Sequence, residues 1–149
     1  MKNNAINYNE EEDKKLKIGF DVHGVIDSFP SIVQLLKVLS ISGRAEIHII
    51  TGQRYDLVIK DLMSRLDIRP YAYFSIVEYL ENKGVPIEWK NNLPFADKEQ
   101  WNNAKKEYCA SVGIDILFDD SPAYQQTFND SKTLFCLVNN PNRRVYETR

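Results

Sequence analysis

Short, unbroken apolar runs alternate along this chain with longer stretches whose apolar residues recur at helical spacing. KIGFD (17–21), EIHIIT (46–51), YAYFSI (71–76), IDILF (114–118) and TLFCLV (133–138) are the runs. Their length and branched or aromatic content predict strands buried on both faces. Helical periodicity marks 31–40, 54–66, 97–111 and 122–129, and a further segment, 75–82, that abuts the strand before it. Strands alternating with helices predict right-handed βαβ crossovers. The expected fold is therefore α/β, a Rossmann-like three-layer α/β/α sandwich around a mainly parallel five-stranded sheet. No internal repeat or low-complexity stretch interrupts it.

One segment breaks the rhythm. Residues 83–96, KGVPIEWKNNLPFA, hold two prolines, a glycine, Trp89 and Phe95 without a helical stripe. An irregular excursion of this length in a compact domain is usually functional or mobile. It reads either as a short hairpin or lid over the sheet edge, or as a surface loop pinned by its aromatics. The polar start, 1–15, reads as a loose leader, 16–138 as the core domain, and 139–149 as a tail or docking segment.

Composition narrows the class. A chain of 149 residues suits one domain, which buries about two thirds of its unfolded surface. A net charge of −2 indicates neither nucleic acid nor an anionic membrane as partner. No apolar run approaches the roughly 20 residues needed to span a bilayer, and the start lacks the apolar segment of a secretion signal. Cys109 and Cys136 then read as reduced thiols, and a cytoplasmic location is expected.

The chemistry gathers where predicted strands end. Asp21 closes the first run, followed by His23 and Gly24; Thr51 and Gly52 close the second; Asp119, Asp120 and Ser121 close the fourth. Ligands of open α/β sheets bind outside the carboxyl ends of the strands. Buried carboxylates converging there repel unless a cation or a proton offsets them. Mg²⁺ binds through one or two acids plus substrate phosphate. A hydroxyl beside a glycine where a helix opens suits that phosphate, because the first N–H groups of a helix are unpaired. The parts describe phosphoryl transfer.

The arrangement resembles the haloacid dehalogenase superfamily of phosphohydrolases, over residues 17 to about 138. That family's first motif is an apolar strand followed by Asp-x-Asp-Gly-x, matched by FDVHGVI at Asp21 and Gly24. Its second, an apolar strand ending in Thr or Ser, is matched by IHIITG at Thr51; its fourth, an apolar strand ending in one or two Asp, by ILFDDS. The resemblance implies that Asp21 is the nucleophile, forming an aspartyl-phosphate, and that Thr51 holds a phosphoryl oxygen. It also implies a Mg²⁺ cofactor bound by Asp21, the main-chain carbonyl of His23, and Asp119 with or without Asp120.

The third motif is a lysine near the start of the helix before the fourth strand. Lys98 follows Asp97, which with Gln100 makes a helix-cap signature. Lys105 interrupts the stripe Trp101, Ala104, Tyr108, Cys109, Val112, where a buried ammonium needs an anionic partner. Lys105 is favoured, Lys98 is the alternative, and Lys90 is more distant. The clearest departure is His23, which stands where family phosphatases carry a second aspartate as general acid and base. Imidazole can both give and take a proton near neutrality, so hydrolysis is expected to survive. Its protonated form is disfavoured beside a metal.

Around these, Asp27 and Asp115 read as surface or capping acids, and His48 as an ordinary strand residue. Tyr124 and Gln125 fit the pocket and a surface helix equally. Arg54, directly after TGQ, is a candidate anion holder; Arg143 and Arg144 are solvated charges. With residues 22–46 holding little beyond one helix, no large cap covers the site. An open site needs water excluded by the substrate or by a neighbouring subunit, so a homo-oligomer is one expectation. The leading expectation is a Mg²⁺-dependent phosphomonoesterase for a phosphorylated small molecule or nucleotide, with Gly52, Lys98 and Trp89 among its substrate-binding residues. A catalytically weak phosphate- or nucleotide-binding module is the alternative. A receiver-like domain fits less well, because its paired acids belong on the first strand.

Overall fold

A computed structural model describes residues 14–142. Most of the expected leader and tail, with Arg143 and Arg144, lies outside the described residues. Five strands, β1 (Leu16–Phe20), β2 (Ala45–Thr51), β3 (Ala72–Ser75), β6 (Ile116–Asp119) and β7 (Leu134–Leu137), form one sheet in the order β3-β2-β1-β6-β7. Every pairing in it is parallel. The helices are α1 (Pro30–Ser42), α2 (Leu57–Arg65), α3 (Ile76–Asn82), α4 (Lys98–Val112) and α5 (Pro122–Thr127).

The apolar runs are continuous because both faces of the sheet are covered. Ile18, Phe20, Ile47 and Ile49 face one core with Leu36 of α1 and Ile59 and Met63 of α2. Ile50, Phe74 and Leu117 face the other, with Leu80 of α3, Trp101 and Cys109 of α4 and Tyr124 of α5. Successive strand residues thus serve opposite layers. The result is a Rossmann-like three-layer α/β/α sandwich. Among the described residues no helix is long and apolar enough to cross a membrane. Both cysteines are free thiols, and burial pushes that of Cys109 up to about 12.

Element ends moved from their expected places for local reasons. Helix α2 starts at Leu57, not at 54, because the Asp56 side chain accepts from the N–H groups of Val58 and Ile59 at 3.0 and 3.2 Å. That is an N-cap. Strand β3 stops at Ser75 because its hydroxyl caps α3, accepting from Glu78 N at 3.2 Å. Strand β6 begins at Ile116, two residues after the expected 114. Here Asp115 is a capping acid, its carboxylate accepting from Lys17 N at 2.9 Å.

Within residues 83–96, β4 (Glu88–Lys90) and β5 (Leu93–Phe95) form a separate antiparallel hairpin. Its turn residues Asn91 and Asn92 both have positive φ, 51° and 61°, the pattern of a two-residue turn matched to strand twist.

This topology decides where a site can form. From β1 the chain steps outward through β2 to β3, then returns across the sheet to β6 and β7. The order reverses between β1 and β6. At such a switch point the loops leaving adjacent strands diverge and open a crevice. The residues that leave β1 and β6 there are Asp21 and Asp119.

Candidate functional site

The register brings the acids together. Phe20 pairs with Phe118, and Asp21 N donates to Phe118 O at 3.0 Å, so Asp21 and Asp119 emerge side by side. One carboxylate oxygen from each of Asp21, Asp119 and Asp120 lies within 4.8 Å of the others, and all three residues are buried. Lys105 is 1% exposed. Its Nζ donates to Asp119 Oδ2 at 2.6 Å and lies 3.2 Å from Asp21 Oδ1. The other Asp119 oxygen accepts from Ser121 N at 3.0 Å.

Lys105 and Lys98 are therefore told apart by position. Lys98 is exposed at the first residue of α4, and seven residues, about 10 Å of helix, separate it from Lys105. Lys90 is on the hairpin, 3.5 Å from Glu88. Only Lys105, among the described lysines, meets the acids.

The electrostatics follow from burial. Three carboxylates face one ammonium. Burial pushes the Asp21 carboxyl well above its ordinary range, and Asp119 and Asp120 push the same way; Lys105 only partly offsets them. For Lys105, burial alone would lower the pKa, but Asp119 and Asp21 overcome it and raise it above the ordinary lysine value. The cluster thus holds one firmly charged cation and an excess of negative charge.

The turn after β1 shapes the near wall. Asp27 N donates to Val22 O at 3.1 Å and Ile26 N to Asp21 O at 3.4 Å, each spanning five residues. Gly24, at φ 86°, sits against Asp120: a Cβ there would lie 2.1 Å from Asp120 Oδ2. Asp27 is the capping acid of this turn, accepting from Gly24 N at 2.8 Å and from the Ser28 hydroxyl at 2.7 Å. Its second oxygen lies 3.2 Å from His23 Nδ1. The imidazole of His23 is consequently oriented by Asp27 and leaves Nε2 as the ring nitrogen outside that contact.

Thr51, fully buried, ends β2 opposite Ser75 and accepts from Gln53 N at 3.3 Å. Gly52 lies beside the N-terminal ends of two helices: its carbonyl accepts from Val77 N at 3.3 Å, and a Cβ on it would be 3.4 Å from Trp101 Cζ2. Tyr124 faces inward, its ring 4.8 Å from Lys105 Nζ and its hydroxyl accepting from Trp101 Nε1 at 2.8 Å. Burial pushes that phenol up to about 12. Gln125 points to solvent.

Other expectations resolve away from the acids. Arg54 is bound to Glu81, Nη1 donating to Oε2 at 2.7 Å beside a second, shorter contact, so its charge is already matched. His48 is an ordinary buried strand residue; Tyr108 and Glu46 take its ring nitrogens at 2.9 and 3.5 Å. Asn140, which the sequence did not single out, donates from Nδ2 to Gly24 O at 3.1 Å. It sits in an aperiodic stretch, so no pattern marked it.

Compared with models of protein families and with curated proteins, the chain matches none.

Proposed function

We propose that this protein is a Mg²⁺-dependent phosphomonoester hydrolase of the haloacid dehalogenase type, working through an aspartyl-phosphate on Asp21. The observation that carries the reading is the buried trio Asp21, Asp119 and Asp120 around the single cation Lys105, at the sheet's switch point. Oxygen donors of this kind, within 4.8 Å of one another, suit a hard divalent cation such as Mg²⁺. Asp21, Asp119 and Asp120, with the main-chain carbonyl of His23, would hold the ion. When bound, Mg²⁺ supplies Lewis-acid charge that offsets the phosphate and the carboxylates.

The chain's own residues then divide the work. Lys105 holds Oδ1 of Asp21 and leaves Oδ2 to attack phosphorus. As that bond forms, the ester P–O bond breaks and the departing oxygen takes a proton from His23. His23, held at Nδ1 by Asp27, next removes a proton from water through Nε2. The water oxygen bonds to phosphorus, the P–O bond to Asp21 breaks, and inorganic phosphate leaves. Thr51, at the end of β2, binds a phosphoryl oxygen through its hydroxyl.

Phosphate release from a panel of phosphate esters, with Mg²⁺ and with chelator, tests this. Wild type should release phosphate only with Mg²⁺, and Asp21→Asn should lower the rate at least about 10³-fold, as for loss of an attacking group. His23→Asp should raise it if imidazole limits proton transfer. No release under any condition, or equal release by Asp21→Asn, contradicts the reading. Binding of phosphate without release would instead favour the module that senses rather than cleaves, which the His23 departure favours.

A further inference from the structure

The hairpin β4–β5 carries an oddity. All three residues of β4 are exposed, and its turn is Asn91–Asn92, yet its central residue is Trp89, 45% exposed. The exposed part of the ring is a flat apolar surface flanked along β4 by the charged Glu88 and Lys90. The Arg54 guanidinium lies 5.8 Å from the ring centroid. That guanidinium is fixed by its two-point contact with Glu81 of α3, and its charge is matched there, so it serves as a plate under the indole rather than as an anion holder.

Position adds the second argument. Arg54 follows Thr51 by three residues, a span of at most about 11 Å. The helices on either side of the hairpin both begin against Gly52, through the Val77 N–H on one side and the Trp101 ring on the other. The exposed indole therefore stands beside Arg54, three residues past Thr51, on the hairpin that leads into α4, whose Trp101 packs at Gly52. A ligand with a phosphate at one end and a flat group at the other would use both Thr51 and that ring.

From this we infer that Trp89, backed by Arg54 and Glu81, is a stacking platform that selects phosphate esters bearing a planar aromatic group, and specifically nucleoside monophosphates. Stacking on an aromatic face is tolerant of base identity because every base has a π-face, so the platform selects for a base rather than for one base. The inference rests on the phosphate-binding reading of the Asp21–Thr51 crevice and names its substrate class.

The test is equilibrium binding to the full chain by calorimetry, with Mg²⁺ present, using adenosine 5′-monophosphate and ribose 5-phosphate. The second probe has the same sugar and phosphate without the base. Wild type should bind the nucleotide at least about 10-fold more tightly than ribose 5-phosphate. Trp89→Ala should erase that difference while leaving ribose 5-phosphate unmoved, and Trp89→Phe should keep most of it. With two tryptophans in the chain and Trp101 buried, nucleotide should also quench fluorescence in wild type and not in Trp89→Phe. Equal binding of the two probes, binding of neither, or a Trp89→Ala loss shared by both overturns the platform. Phosphate release, read separately, decides hydrolysis: selective binding without release sinks the hydrolase and keeps the platform, and release without base preference does the reverse.

Discussion

Lys105 shows how one buried side chain can hold a site together. It neutralises part of a charge that three carboxylates create in a buried place. Breaking a buried ion pair from one side leaves the other side uncompensated, at a cost of about 3–5 kcal/mol. Lys105→Met should therefore lower stability by about that much in urea unfolding, and Asp119→Asn should recover part of the loss. Asp21 makes the opposite prediction. Its carboxyl is raised above the ordinary 3.8, so between that value and its own the folded chain keeps a proton that the unfolded chain releases. Stability from this residue then falls as pH rises through the window. In chelator, Asp21→Asn should melt like wild type below pH 3.8 and gain an advantage as pH climbs; an advantage that shrinks with pH contradicts the assignment. At Gly24 the argument is steric. A side chain there meets Asp120 and is held at positive φ, so Gly24→Ala should cost about 1–3 kcal/mol, read by the same unfolding.

Elements were legible in the sequence where burial imposes a period. The five sheet strands are continuous apolar runs because parallel strands covered on both faces have no polar side to show. Lys105 was visible for the same reason: it is the one charged residue on the stripe running from Trp101 to Val112. Long-range partners left no such mark. Arg54 and Glu81 are 27 residues apart, and Asn140 reaches Gly24 across 116, so neither contact has a local pattern. Helix boundaries failed where a capping side chain overrode the apolar pattern, as at Asp56. Helix α4 shows the reverse, since Asp97, expected as a cap, accepts from Gln100 N at 3.0 Å. Asp97→Ala should cost about 1 kcal/mol and lower Tm by a few degrees. Because α4 carries Lys105 into the acids, a calorimetric scan should show that loss as a shift of the whole transition rather than as fraying.

Taken whole, the molecule is a sheet whose strand order reverses between β1 and β6, and the crevice so opened is filled with carboxylate. Folding has placed three acids together in a buried region, an arrangement that costs stability on its own and that a divalent cation would relieve. Binding and stability are then linked: an ion that binds only the folded chain adds about 2.7 kcal/mol at 100 times its Kd. On the proposed reading, that ion would serve the binding of a phosphate ester. The most direct test is a calorimetric titration of the chelator-treated chain with MgCl₂, run beside Asp119→Asn. One site per chain, lost or weakened at least about 10-fold in the variant, is the predicted result. Equal binding by both proteins, or no binding to the folded wild type, would contradict it.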